Sequence, residues 1–115
     1  MLFASKSGSQ KRAVFRVALR SGKLLRFPGA FSPLVSLLIE RHGFEGVYIS
    51  GAVLSADLGL PDVGLTTLSE VAQRGRAIAR VTSLPAIIDA DTGFGEPMSA
   101  ARTVQEFEEI GRAHV

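Results

Sequence analysis

The stretch AIIDADTGFG, residues 86–95, decides the fold class that the sequence predicts. Its first part, Ala86-Ile87-Ile88, is an uninterrupted apolar run, which is expected of a strand buried on both faces of a parallel sheet. Asp89 follows this run at once and opens a polar loop with two glycines. The stretch therefore predicts a buried strand whose carboxyl end carries a loop in the position where parallel α/β proteins bind ligands.

Two earlier segments repeat this order of strand and helix. Residues 24–28 and 46–50 are short apolar or β-rich runs that end at turn residues. Ser32-Pro33 predicts the start of the helix after the first run, because serine is a favoured N-cap and proline is tolerated at the first helical position. Thr67-Leu68-Ser69-Glu70 has the spacing of a capping box and predicts the start of the second helix. Residues 51–66 are predicted to be a loop.

Apolar residues at helical spacing predict which faces of the helices are buried. In the helix that Ser32 opens, the predicted inward residues are Leu34, Val35, Leu37 and Leu38. In the helix after residues 86–95, which Ser99 is predicted to cap, they are Val104 and Phe107.

Strands that alternate with helices predict right-handed crossovers and a parallel sheet. Two architectures share this pattern: a small doubly wound domain, which needs about five strands, and a (β/α)8 barrel, which needs about 250 residues. The preferred fold class is α/β, namely the opening part of a (β/α)8 TIM barrel with an N-terminal helix and about three βα units. Residues 1–109 would then form the N-terminal part of a single barrel domain that these residues leave incomplete.

The composition excludes several classes of protein. The chain has 115 residues, of which 46% are hydrophobic, and a net charge of +2, so it is too apolar and too balanced in charge to be disordered. It contains no cysteine, which excludes a disulfide scaffold, a thiolate metal site and a cysteine nucleophile within these residues. No run of about 18 apolar residues predicts a membrane span.

The basic residues are concentrated at the amino terminus. Residues 1–26 contain seven basic residues and no acidic one, whereas residues 27–115 carry a net charge of −5. The favoured interpretation is a solvated helix with an apolar stripe. The stripe consists of Ala13, Phe15, Val17, Leu19 and Leu24. A mitochondrial transit peptide and a nucleic-acid-binding arm are the alternatives.

Two aspartates after the third strand form a candidate metal site. Asp89 and Asp91 are two residues apart at the end of an extended run, so their side chains are predicted to point to the same side. Carboxylates that lie so close repel each other unless a cation joins them. Oxygen ligands without a neighbouring His or Cys favour Mg²⁺. The alternative is structural, with Asp89 capping a turn and Asp91 paired with an arginine.

Weaker candidates lie in other parts of the chain. Ser50-Gly51-Ala52 offers a hydroxyl group and unobstructed backbone N–H groups that could hold a carboxylate, or it is an ordinary turn. Asp62 either binds metal-bound water or is a turn residue after Pro61. His42 is predicted to lie at a helix end as a cation favourable to the helix dipole, and not to be catalytic.

Four spaced segments resemble the isocitrate lyase and phosphoenolpyruvate mutase superfamily. They are VYISGA (47–52), LGLPD (58–62), DADTGFG (89–95) and ARTV (101–104). The resemblance covers roughly residues 10–109 and is strongest to the 2-methylisocitrate lyases, the C–C-cleaving enzymes of the methylcitrate cycle in propionate catabolism. Ala52 stands where related lyases often have glycine.

The resemblance implies Mg²⁺-dependent cleavage of 2-methylisocitrate to pyruvate and succinate. Mg²⁺ would be held through Asp89 and Asp91, largely by water. The 2-hydroxy acid end of the tricarboxylate would be held by residues 50–52. Asp62 and Tyr48 would surround these residues without binding the metal directly. The family's catalytic acid is a cysteine in a Lys-Arg-Cys-Gly-His motif after the fourth strand, so no catalytic residue is expected here, and this chain alone is expected to be inactive.

The resemblance also implies a setting for the full-length protein. It would be a homotetramer that acts on a small molecule, with neither nucleic acid nor membrane as a partner. It would be cytoplasmic, or mitochondrial if residues 1–26 act as a transit peptide. The alternatives are another enzyme of the superfamily (isocitrate lyase, a phosphonopyruvate or phosphoenolpyruvate mutase type, or an oxaloacetate type) and a non-enzymatic α/β module that binds Mg²⁺.

The last six residues depart from the pattern of the family. The codons ATC GGA AGA GCA CAC GTC, which resemble a short-read sequencing adapter, would translate to IGRAHV, the sequence of residues 110–115. The native sequence is therefore expected to end near Glu109, with residues 110–115 a non-native tail and His114 without a function. Native codons for this segment in the genome would contradict that expectation.

Overall fold

The fold is an α/β arrangement built on a parallel sheet. The computed structural model describes residue 4, residues 6–110 and residues 113–114. Its helices are α1 (Gly8–Arg20), α2 (Pro33–Arg41), α3 (Gly51–Asp57), α4 (Leu68–Ala79) and α5 (Pro97–Ile110), and its strands are β1 (Val47–Ile49), β2 (Ala86–Ile88) and β3 (Ala113–His114). The strands pair in parallel in the order β1-β2-β3. Helices connect successive strands, as the sequence predicts.

Two of the predicted helix starts are confirmed by their caps. The Ser32 side chain accepts a hydrogen bond from the backbone N–H of Val35, and Pro33 is the first helical residue of α2. Thr67 and Glu70 form the reciprocal capping box of α4, in which each side chain accepts a hydrogen bond from the other residue's backbone N–H. These contacts satisfy N–H groups that a helix start leaves without partners.

The sheet divides its side chains between two faces. Val47 and Ile49 of β1 and Ala86 and Ile88 of β2 are buried, and they share one apolar core with Val71, Ile78 and Phe107 of the helices. Tyr48 and Ile87, which pair in register, alternate with them and are partly exposed on the other face. The prediction that β2 is buried on both faces therefore does not hold for Ile87 in the described part of the chain.

The prediction of a strand over residues 24–28 is wrong. The backbone N–H of Arg26 donates to the Glu45 carboxylate at 2.9 Å instead of to a neighbouring strand, and Leu24 is largely exposed. Pairing with β1 begins later and is a single parallel bridge, in which the Tyr48 N–H donates to the Pro28 carbonyl and the Ala30 N–H to the Tyr48 carbonyl.

The predicted buried faces of two helices are partly wrong. Leu34, Leu37 and Leu38 are exposed in α2, where the buried residues are Ser36 and Ile39. The helix α2 packs against α4, and Val35, the fourth predicted residue, is partly buried against the core as predicted. In α5, Phe107 is fully buried as predicted, whereas Val104 is 49% exposed.

Two further differences concern helix ends and the basic amino-terminal segment. The helix α5 begins at Pro97, so Ser99 lies within its first turn instead of capping it. Residues 8–20 form a helix, but the predicted stripe is exposed at Val17 and Leu19. Its most buried residue is Lys11, whose Nζ donates to the carbonyl of Ala79 at 2.7 Å, near the carboxyl end of α4. A cation is favourable at that end of a helix.

No helix among the described residues combines the length and the apolar character needed to cross a bilayer.

Truncation of Phe107 is expected to destabilise the core. Phe107→Ala would remove a fully buried ring and lower the free energy of unfolding by about 3–5 kcal/mol. The control is Val104→Ala in the same helix, which should cost about 1 kcal/mol or less because half of that side chain is exposed. Denaturant unfolding of the full-length protein measures both, and equal losses would contradict this packing.

The ion pair between Arg26 and Glu45 gives a pH-dependent contribution to stability. Hydrogen bonds from Arg26 lower the pKa of Glu45 from 4.5 to about 2. Because the pKa is lower in the folded state, the contribution is present above about pH 4.5 and disappears as the pH falls through about 2. An NMR titration should place the Glu45 pKa near 2, and Arg26→Gln should raise it towards 4.5. The control Arg41→Gln should leave it unchanged, since Arg41 has no part in this pair.

Candidate active site

The candidate site lies where β1 and β2 end. Ser50 follows β1 and Asp89 follows β2. The Asp89 N–H donates to the Ile49 carbonyl at 3.0 Å, which keeps the ends of the two strands side by side. A Cβ atom placed on Gly51 would lie 2.9 Å from Oδ2 of Asp89. The backbone after β1 and the carboxylate after β2 are therefore in direct contact, and a side chain at Gly51 would disturb that contact.

Residues 50–52 form the start of a helix instead of the predicted turn. The segment predicted to be a loop, residues 51–66, begins with α3, Gly51–Asp57, and the Ser50 side chain caps it by accepting from the Val53 N–H at 3.4 Å. The first N–H groups of a helix have no partner within it. The N–H groups of Gly51 and Ala52 therefore belong to the first turn of α3 and have no acceptor within that helix, and of residues 50–52 only Gly51 lines the cavity described below. Ser50 as an N-cap residue was the signal for this helix.

Asp89 and Asp91 approach each other through a tight turn. Asp91 has a φ of +49°, so the extended backbone that the prediction assumed at this residue is wrong. The Oδ1 atom of Asp89 accepts from the Asp91 N–H at 2.8 Å. This bond is the turn-capping role that the structural alternative assigned to Asp89.

Both carboxylates line one small cavity of about 100 Å³. Its walls are formed by Gly51, Ser55, Asp62, Gly64, Thr66, Val71, Asp89, Asp91 and Phe94. The structure thus brings Asp62 to the same cavity as the two aspartates. Ser55, Thr66 and Phe94 also line it, and the sequence did not single them out as site residues.

The donors around the cavity suit a hard cation. They are carboxylate, hydroxyl and backbone groups, and Mg²⁺ is bound in proteins through one or two carboxylates with water completing its shell. Water occupies about 30 Å³ in the liquid, so the cavity has room for a few molecules. Among residues 4, 6–110 and 113–114 no three His, Cys, Asp or Glu side chains form a metal-binding group.

Tyr48 lies on the same face of the sheet as its partner Ile87, close enough to Asp89 to sense its charge. Burial raises the pKa of its hydroxyl group, and the negative charge of Asp89 raises it further. Tyr48 therefore stays protonated at neutral pH and keeps a hydroxyl proton that it can donate. His42 is exposed at the C-cap of α2, before β1 begins, so it lies at a helix end as expected and away from the cavity.

Several relatives with similar sequences are described as 2-methylisocitrate lyases. The chain is 63% identical over 105 residues to "Probable 2-methylisocitrate lyase 2" of Corynebacterium glutamicum, which spans 91% of the chain and 34% of that relative. It is 46% identical over 102 residues to the 2-methylisocitrate lyase of Aeropyrum pernix, which spans 89% of the chain and 33% of that relative. The chain thus spans about a third of the length of the relatives it matches.

Solved structures share the fold. A phosphonopyruvate hydrolase in complex with oxalate and Mg²⁺ superposes with a TM-score of 0.85 at 39% identity, over 89% of this chain and 36% of that one. A 2,3-dimethylmalate lyase of the PEP mutase/isocitrate lyase superfamily superposes with a TM-score of 0.82 at 28% identity, over 96% of this chain and 39% of that one. These neighbours confirm the predicted fold class, the opening part of an α/β barrel.

A family model agrees with both comparisons. The model described as phosphoenolpyruvate phosphomutase matches residues 15–115, which is most of the chain and includes every residue of the cavity. The chain therefore belongs to the phosphoenolpyruvate phosphomutase family.

Proposed function

We propose that the protein is a Mg²⁺-dependent carbon–carbon lyase that cleaves 2-methylisocitrate to pyruvate and succinate. Relatives named 2-methylisocitrate lyase at 63% and 46% identity support the substrate. The observation that carries the proposal is the contact between Gly51 and Asp89. Because of it, a group bound by the N–H groups after β1 would lie beside a cation bound by the carboxylates after β2.

Asp89 and Asp91 are the proposed holders of Mg²⁺. Both residues line one cavity, and their two negative charges favour a divalent cation there. When bound, Mg²⁺ would supply positive charge that stabilises the negative charge developing on the 2-oxo acid product. The Mg²⁺ in the phosphonopyruvate hydrolase complex supports this choice of metal.

Residues 50–52 are the proposed binding segment for the 2-hydroxy acid end of the substrate. Gly51 and Ala52 carry small side chains, and their N–H groups lie in the first turn of α3, where donors suit a carboxylate. Asp62 would accept hydrogen bonds from water in the cavity, and Tyr48 would donate one towards Asp89. These residues bind and orient. The proposed acid for the succinate carbanion is a cysteine. Since residues 1–115 contain no cysteine, this acid would come from a part of the protein outside these residues.

The proposal extends to the domain and its assembly. Residues 1–109 would be the N-terminal part of one barrel domain in a homotetramer. Residues 110–115 stay a predicted non-native tail. The family match runs through residue 115, and residues 113–114 pair with β2, so the genomic sequence of this segment is the test.

A substrate panel tests the proposed reaction. The full-length protein with Mg²⁺ would be given 2-methylisocitrate, isocitrate, 2,3-dimethylmalate, phosphonopyruvate and oxaloacetate, with products identified by NMR. We expect pyruvate and succinate from 2-methylisocitrate, with a kcat/KM at least about tenfold above that for any other compound. Preference for another compound would instead favour a different enzyme of the superfamily, and turnover of none would favour a module that binds Mg²⁺ without catalysis.

Removal of either carboxylate should weaken Mg²⁺ binding. Asp89→Asn and Asp91→Asn each remove a charge from the cavity, and we expect each to reduce Mg²⁺ affinity by about tenfold or more in titration calorimetry. Asp62→Asn should have a smaller effect. Glu108→Gln, on the exposed side of α5, is the matched control and should have none. Undiminished binding after both aspartates are replaced would contradict the assignment.

Addition of one methyl group at Gly51 should also weaken binding. In Gly51→Ala the new Cβ would meet the Asp89 carboxylate at 2.9 Å, so the carboxylate must move. A rotamer displacement that costs about 0.5–1.5 kcal/mol corresponds to a loss of about two- to tenfold in Mg²⁺ affinity. Gly29→Ala is the control, because a Cβ there makes ordinary contacts at 3.9 Å. Equal affinities of the two variants would refute the close approach.

A further inference from the structure

The hydroxyl group of Thr103 connects α5 to the loop that carries the two aspartates. Thr103 is 1% exposed. Its Oγ1 lies 2.7 Å from the Gly93 carbonyl and 3.0 Å from the Ser99 carbonyl. The contact with Ser99, one turn back in the helix, is common for a helical threonine. The shorter contact joins the helix to the loop, because Gly93 lies outside α5. The hydroxyl group therefore links two segments instead of bonding only within its own helix.

The loop has a backbone that needs external support. Asp91 and Phe94 have φ values of +49° and +62°, a conformation that is unfavourable for residues with a Cβ atom. Gly93 and Gly95 also have positive φ values. A loop of this conformation persists when its surroundings determine it.

The packing of the loop against α5 explains how the support is supplied. A Cβ on Gly93 would lie 2.6 Å from Cβ of Ala100, and one on Gly95 would lie 2.7 Å from Cβ of Ser99. The two glycines therefore let the loop backbone rest directly on the first turns of α5. The Phe94 ring meets the buried Phe107 ring edge-on at 6.5 Å. Within this contact, the Thr103 hydroxyl is the polar group that holds a loop carbonyl.

We propose that Thr103 is a positioning residue for the metal site: by holding the Gly93 carbonyl, it keeps Asp91 in place beside Asp89. Thr103 does not line the cavity and acts through the loop. The part of this inference that concerns Mg²⁺ rests on the proposed function, whereas the part that concerns the loop does not.

The test compares three variants of the full-length protein. Thr103→Val keeps the shape of the side chain but removes the donor, and Thr103→Ser restores the donor. Thr82→Val is the matched control, because Thr82 is also buried, at 0% exposure, and its Oγ1 accepts from the Leu84 N–H at the other end of β2. The readouts are Mg²⁺ affinity by titration calorimetry, thermal unfolding, and hydrogen exchange of the amides of residues 89–95 without metal.

Each outcome decides one part of the inference. We expect Thr103→Val to lower Mg²⁺ affinity by about tenfold, which corresponds to the loss of one buried hydrogen bond, and to speed exchange in residues 89–95. Thr103→Ser should recover most of both, and Thr82→Val should lower the unfolding temperature without weakening Mg²⁺ binding. Unchanged affinity and exchange in Thr103→Val would overturn the positioning role.

A separate result would concern the proposed function alone. If the wild-type protein took up no Mg²⁺, the metal site would be wrong. Faster exchange confined to residues 89–95 in Thr103→Val, and absent in Thr103→Ser, would still establish that Thr103 holds the loop. Equal exchange in these two variants would show that the hydroxyl group does not matter.

Discussion

The close approach of Gly51 to Asp89 is the constraint on which the candidate site depends. Parallel pairing of β1 with β2 places both strand ends at one edge of the sheet, and the absence of a side chain at Gly51 lets the carboxylate lie against the start of α3. The first turn of α3 and the Asp89 carboxylate thus lie close together at this edge of the sheet. A larger residue at position 51 would separate them.

The second constraint is the shape of the loop after β2. Its left-handed residues turn the chain back so that the Asp91 N–H bonds to Asp89, and contacts with α5 oppose the cost of that conformation. The site therefore depends on a helix that contributes no residue to the cavity wall. Sites held within a fraction of an ångström commonly rely on such supporting contacts.

The likeness to known proteins and the geometry support different parts of the conclusion. The family model and the solved structures establish the family and the fold over most of the chain. The cavity explains what these residues can contribute chemically: Asp62, Asp89 and Asp91 carry oxygen ligands of the kind that suit a cation.

Sequence patterns alone predicted the alternation of β1 and β2 with helices, the caps at Ser32 and Thr67, and the position of the aspartates after β2, but they missed α3 and placed a strand at residues 24–28. These features depend on neighbours within a few residues, where capping and hydrophobic patterning act. Tertiary structure decided which apolar face of α2 is buried, whether residues 24–28 pair as a strand, and how Asp91 turns. Each of these depends on contacts outside the segment concerned. Glu45 binds the backbone of Arg26 from 19 residues away, whereas the turn at Asp91 is held by nearer residues, since Gly93 packs against Ala100 and its carbonyl accepts from the hydroxyl of Thr103. Local periodicity does not encode such contacts, because many pairings satisfy the same pattern and packing selects one of them.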